Sequence, residues 1–78
     1  LEPAIAFGKV VRQLRLSRGL TQEQLGFEAD LRRTYVSILE LGQQQPSLSS
    51  ILKIAKALGC SGQELMAAVE ATIKEEFA

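Results

Sequence analysis

The sequence predicts an all-α domain, a compact bundle of five helices. Apolar residues recur at three- and four-residue intervals through most of the chain, the spacing that gathers them on one face of an α-helix. No stretch alternates apolar and polar residues as a half-buried strand does. Glycines and hydroxyl-bearing residues interrupt the apolar pattern where helices end and begin. At 78 residues the chain is a single domain, 1–78, near the lower size at which one core suffices, and 46 % apolar residues can supply that core.

Taken in order, Phe7, Val11 and Leu14 recur at helical spacing from Ile5 to Arg18, with Lys9, Arg12 and Gln13 between them, and Gly19 closes this first helix. Thr21 and Gln24 form a capping box: the hydroxyl takes an orphan amide and the Gln side chain reaches back. The second helix therefore covers Gln22 to Ala29. Asp30 and Leu31 make a turn, and a third helix runs from about Arg32 to Leu41, with Val36 and Leu39 inward and Gly42 as its stop. Gln43, Gln44, Gln45 and Pro46 lack periodicity, and the Pro disfavours helix before it, so they form a loop. Ser47 caps a fourth helix whose broad apolar face is Leu48, Ile51, Leu52, Ala55 and Leu58, ended by Gly59. Ser61 and Glu64 repeat the capping box and start a fifth helix reaching Glu75 or beyond, with Leu65, Val69 and Ile73 closing the core.

Several function classes are excluded by composition. There is no His, no nucleophile with an evident base and no Gly-rich phosphate loop, so the chain does not read as an enzyme. Cys60 has no second thiol to pair with and no ligands for a metal, so it reads as a small apolar residue in a reduced, cytoplasmic protein without cofactor. No apolar run approaches the ~20 residues that span a bilayer, and no secretory leader is visible. Net charge is zero, which argues against a polyanionic partner, but the charges are unevenly distributed. Lys9, Arg12, Arg15, Arg18, Arg32 and Arg33 fall in the first half, and Glu64, Glu70, Glu75 and Glu76 gather at the end. Such a molecule can meet a polyanion with one end only.

Two short helices joined by a tight turn, the second carrying small polar and basic side chains, read as a DNA-reading helix-turn-helix. The segments Gly19 to Leu25, Tyr35 to Gly42, Pro46 to Leu48 and Ile51 to Gly59 agree in order and spacing with the lambda-repressor-like (XRE or Cro) helix-turn-helix family, which the chain resembles from Phe7 to Met66. Within it, Leu31 to Ser37 is most like the recognition segment of restriction-modification controller proteins. The resemblance implies a small homodimeric transcriptional regulator of double-stranded DNA. It also implies that Arg15 and Glu40 form a partly buried ion pair tying the first helix to the third. The chain departs from the family pattern at Asp30, in place of the usual turn Gly, and at Leu41, Phe27 and Ile38, which are apolar where polar side chains are usual.

A helix fits the major groove, and polar side chains near its N-terminus reach base edges first. Arg33 is the leading base reader, because its guanidinium can bond guanine O6 and N7 together. Thr34 offers a hydroxyl and a methyl to the same groove, and Ser37 follows on the same face. Arg32, at the helix start, is placed to contact either phosphate or a base edge; as a cation there it opposes the helix dipole and so calls for a compensating partner such as DNA phosphate. Tyr35 either lies along the sugar-phosphate wall or packs against the first helix. Gln22 at the start of the second helix, Gln43, Gln44, Gln45 and Ser47 before the fourth, and Arg12 on the first are the candidate phosphate contacts.

One such domain reads only a few base pairs, so a palindromic operator and two-fold pairing are expected, with recognition helices about 34 Å apart. Residues 60–78 contribute that pairing, through Met66, Val69, Thr72, Ile73 and Phe77. No ligand-sensing segment is visible, so no small-molecule effector is expected and occupancy follows concentration. An antitoxin of a toxin-antitoxin pair and a small phage-type repressor are the alternative readings.

Overall fold

The computed structural model describes residues 2–77, with side-chain surroundings through residue 75. Among these residues there are five helices and no strand: α1 (Pro3–Ser17), α2 (Gln22–Ala29), α3 (Arg33–Glu40), α4 (Leu48–Ala57) and α5 (Gly62–Phe77). α1 begins before Ile5 because Pro3 occupies its first turn, where a fixed φ is already helical and the missing N–H has no partner to lose. α3 is shorter than the periodicity implies, since Arg32 is an extended cap (φ −73°, ψ 145°) and Leu41 the residue after the last full turn.

Local hydrogen bonds fix where the helices stop and start. After α1, Leu20 N–H donates to Arg15 O (3.1 Å) and Gly19 N–H to Leu16 O (3.0 Å), the paired bonds that close a helix around a left-handed residue. The same arrangement recurs after α3 and α4. After α2 the left-handed residue is Asp30 (φ 56°, ψ 46°), with Leu31 N–H donating to Gly26 O at 2.8 Å. Both capping boxes form: Gln24 N–H donates to Thr21 Oγ1 (3.0 Å) and Thr21 N–H to Gln24 Oε1 (2.8 Å), and Ser61 with Glu64 repeats the exchange.

α1 packs against α3 and α5, α2 against α3 and α4, and α4 against α5. The core draws Ala6, Phe7, Val10 and Val11 from α1, Leu25 and Ala29 from α2, and Val36 and Leu39 from α3. Ile54, Ala55, Leu58, Leu65 and Val69 complete it. α1 and α3 approach so closely that a Cβ on Gly8 would strike the Leu39 carbonyl oxygen and lie 2.6 Å from that of Glu40. Arg18 ties the end of α1 to the end of α4 by donating to the Leu58 carbonyl at 2.5 Å.

The expected apolar face of α4 is wider than the core it meets. Ile54 and Ala55 are buried, whereas Leu48 (73 % exposed) and Leu52 (53 %) lie on an outer ridge that the core leaves largely in solvent. Cys60 is half-buried against the core, and burial pushes its thiol pKa up, as for a packed apolar residue. No helix among the described residues is long and apolar enough to cross a membrane.

Candidate nucleic-acid interface

α2 and α3 are brought together by a tight turn that depends on the missing side chain of Gly26. A Cβ on Gly26 would lie 2.6 Å from the Leu31 carbonyl oxygen, so the missing side chain lets the turn fold back on α2. α3 then buries Val36, Leu39 and Glu40 on one side. At about 100° per residue, Thr34, Ile38 and Leu41 fall on the opposite side, with Ser37 and Arg33 along one flank and Tyr35 along the other.

The residues expected to read bases divide accordingly. Arg33 and Thr34 are exposed, Ser37 is half-buried, and all three line one surface depression together with Gln22 and Ile38. Arg32 is also exposed but faces a separate depression with Gly26, Phe27, Asp30 and Leu31, toward the α2 side of the turn. Its position as an uncapped helix start leaves the amides of α3 beside a cation. Tyr35 is half-buried, and its hydroxyl lies 3.1 Å from Ser50 Oγ, on α4 rather than on α1. Sequence reasoning missed Ser50, a buried hydroxyl that also accepts from Ser47 Oγ (2.9 Å), so α3 and the start of α4 share one chain of hydroxyls.

Beneath this surface Arg15 and Glu40 form a bidentate pair. Arg15 Nε donates to Glu40 Oε2 at 2.7 Å and Nη2 to Oε1 at 3.0 Å, with the two side chains 9 % and 3 % exposed. The third donor, Nη1, reaches the Leu20 carbonyl at 2.9 Å. Hydrogen bonding of the guanidinium to the Glu40 carboxylate raises the Arg15 pKa above its ordinary value and outweighs the opposing effect of burial. The pair is thus deeper than the partial burial expected of it.

Of the phosphate candidates, Gln22 lines the same depression. Gln22 Nε2 donates to Glu40 Oε1 at 3.1 Å, which fixes the amide plane and leaves the second N–H of that amide for an external acceptor. Ser47 uses its hydroxyl to cap α4, accepting from Ser50 N–H at 3.1 Å, so an anion there would meet first-turn amides rather than that lone pair. Gln43, Gln44 and Gln45 are exposed in the α3–α4 loop, and Arg12 is exposed on α1.

The expected pairing surface is partly corrected. Val69 is 2 % exposed, packed inside the monomer, and supplies no surface. Ile73 is half-buried against the core, and Thr72 is half-buried with its hydroxyl on the Ala68 carbonyl at 2.9 Å. Phe77 lies outside the residues whose side chains are described. Met66 does present surface, at 36 % exposed, and Leu52 joins it. A Cβ on Gly62 would lie 2.8 Å from Leu52 Cδ2, which places Leu52 one helical turn from Met66 on the α4–α5 ridge.

Residues 11–65 match the family model described as Helix-turn-helix. The chain is 49 % identical over 63 residues to control protein C.BamHI of Bacillus amyloliquefaciens, spanning 80 % of this chain and 78 % of that protein. It belongs to the helix-turn-helix family of restriction-modification controller proteins. The crystal structure of controller protein C.AhdI from Aeromonas hydrophila is similar at 45 % identity and TM-score 0.77, over 80 % of this chain and 94 % of that one. Controller protein C.Esp1396I, solved as a tetramer in complex with its natural 35 base-pair operator, matches at 27 % identity and TM-score 0.85, over 94 % of this chain and 96 % of that one. Membership leaves the unusual apolar positions to be explained: Phe27 is 87 % exposed, Leu41 64 %, and Ile38 half-buried among the candidate base readers.

Proposed function

We propose that the chain is a sequence-specific DNA-binding transcriptional regulator that occupies a palindromic operator as a homodimer and controls the genes of a restriction-modification system. It acts in the cytoplasm by binding rather than by catalysis. The observation that carries this reading is the depression shared by Gln22, Arg33, Thr34, Ser37 and Ile38 on the outward side of α3. It sits beside a helix N-terminus and is held by the buried Arg15–Glu40 pair. Arg33 and Thr34 meet base edges from the N-terminal turn of α3, and Gln22 and the start of α4 grip phosphate on either side. Pairing through the ridge of Leu52 and Met66 doubles the site and favours two-fold symmetric DNA.

The roles separate experimentally once the operator has been selected from random duplexes. Arg33→Ala relaxes discrimination at one base pair of each half-site, whereas Gln22→Ala weakens all sequences alike. Unchanged affinity and footprint for both variants would contradict the assigned surface.

A further inference from the structure

The geometry points to Ile38 as a specificity-determining residue that reads a thymine through its C5-methyl group. The inference rests on the DNA-binding reading and adds to it a base contact that needs no hydrogen bond. α3 points Val36, Leu39 and Glu40 into the protein, so a residue on the opposite side has no core to join. Ile38 is on that side, one turn beyond Thr34 and beside Ser37, and it lines the same depression as Arg33 and Gln22. It is half-buried there, in a depression that it shares with Gln22 at the start of α2 and with Arg33, Thr34 and Ser37 of its own helix.

The chemistry of this grouping is mixed. Arg33 and Gln22 bring N–H donors, Thr34 and Ser37 bring hydroxyls, and Ile38 is the one wholly apolar side chain among them. An Ile offers a base edge neither donor nor acceptor. Of the groups on the major-groove edges, only the thymine methyl is apolar, and it is absent from the other bases. A duplex docked on α3 would desolvate Ile38; opposite a polar base edge that would leave base acceptors or donors without water, whereas a methyl gains contact. Ile38 therefore selects thymine positively and disfavours cytosine at the position it meets. Thr34, whose own methyl lies one turn away on the same side, extends the apolar strip toward the helix start.

The test uses the full chain and its selected operator, in which each thymine of a half-site is replaced in turn by deoxyuridine. This exchange removes the methyl and keeps the pairing and every hydrogen-bonding group. Wild type should lose about fourfold in affinity at one thymine per half-site, the effect of one methyl group withdrawn from an apolar contact, and about fifteenfold when both half-sites are changed. Ile38→Ala should bind the thymine operator more weakly but treat thymine and uracil there alike, while a melting temperature close to that of wild type shows that it folds. Two results overturn the inference while leaving the DNA reading intact: an operator whose binding ignores every thymine-to-uracil exchange, or an Ile38→Ala variant that keeps the full wild-type discrimination. A selection that enriches no sequence removes the DNA reading itself, and the inference with it.

Discussion

The Arg15–Glu40 pair offers the sharpest test of how this small fold holds its reading helix. Replacing Arg15 by Met leaves the Glu40 carboxylate, on a side chain 3 % exposed, with only the Gln22 amide at 3.1 Å as partner. Replacing Glu40 by Met strands the guanidinium with only the Leu20 carbonyl at 2.9 Å. Stranding one member of a buried pair costs about 3–5 kcal/mol, against the 0–1 kcal/mol of an exposed one. A chain of 78 residues has a total stability of about 4–12 kcal/mol, so either single variant should sit near the edge of unfolding. The double variant Arg15→Met/Glu40→Met removes both charges together and should recover most of the loss, because well-packed apolar residues often replace such a pair without penalty. Urea denaturation followed by helical circular dichroism measures all four proteins, and the cycle should give a coupling of at least about 3 kcal/mol. In thermal melts each single variant should fall by more than about 12 °C. Singles that lose less than about 1 kcal/mol, or a double variant that loses the sum of both, would show that the charges act independently and that the buried geometry does not govern stability.

Gly8→Ala should be severely destabilising despite the higher helix propensity of Ala, since the new Cβ meets the backbone carbonyls of Leu39 and Glu40; a melting temperature equal to wild type would rule out the close α1–α3 contact. The Ser61 amide, and secondarily its hydroxyl, hold the Glu64 carboxyl below its ordinary pKa of 4.5. The ionised form therefore favours the folded state above that value, and the benefit fades as pH falls from 4.5 through the lowered folded value. Glu64→Gln should flatten that part of the stability profile in acid unfolding experiments. Leu52→Glu and Met66→Glu each place a charge on the α4–α5 ridge and should shift sedimentation from dimer toward monomer without lowering monomer stability, as both side chains are already exposed.

The helix ends were legible in the sequence because they depend on a few adjacent residues. Thr21 with Gln24, Ser61 with Glu64, and the left-handed Asp30 all act within three or four positions of themselves. The Arg15–Glu40 pair spans 25 positions, and neither its partners nor its depth follows from local pattern; the pairing came from family resemblance. Coverage of apolar faces was least legible. Periodicity identifies Leu48, Leu52 and Val69 as apolar positions on helix faces, but whether a neighbour lies over them depends on how the helices cross. Packing bears out the core place expected for Val69 and not its place in the pairing surface, and it leaves both leucines of α4 outside. The partial burial of Tyr35 was legible but its hydroxyl partner was not, because the reach to Ser50 depends on the separation of α3 and α4, which no single helix encodes.

The same structure limits how strongly charge can drive DNA binding. Arg15 is committed to Glu40 and Arg18 to the Leu58 carbonyl, so two of the arginines on or just after α1 serve the fold. Lys9, Arg12, Arg32 and Arg33 are the exposed cations on α1 and around the turn before α3, whereas Lys53, Lys56 and Lys74 lie on α4 and α5. Four cations per protomer give a dimer at most about eight phosphate contacts, and hence a slope of log affinity against log salt no steeper than about −7. The base contact proposed for Arg33 would lower that limit further. Binding measured over a salt series should therefore decline gently, with specificity maintained at salt concentrations where phosphate attraction is screened. A slope near −10 would mean that further cations, such as Lys53 and Lys56 on α4, also meet phosphate. A shallow slope would leave the discrimination to the base contact proposed for Arg33 and to uncharged contacts, the hydroxyls of Thr34 and Ser37 and the apolar side chain of Ile38, whose contribution would depend on shape and dehydration and persist in high salt.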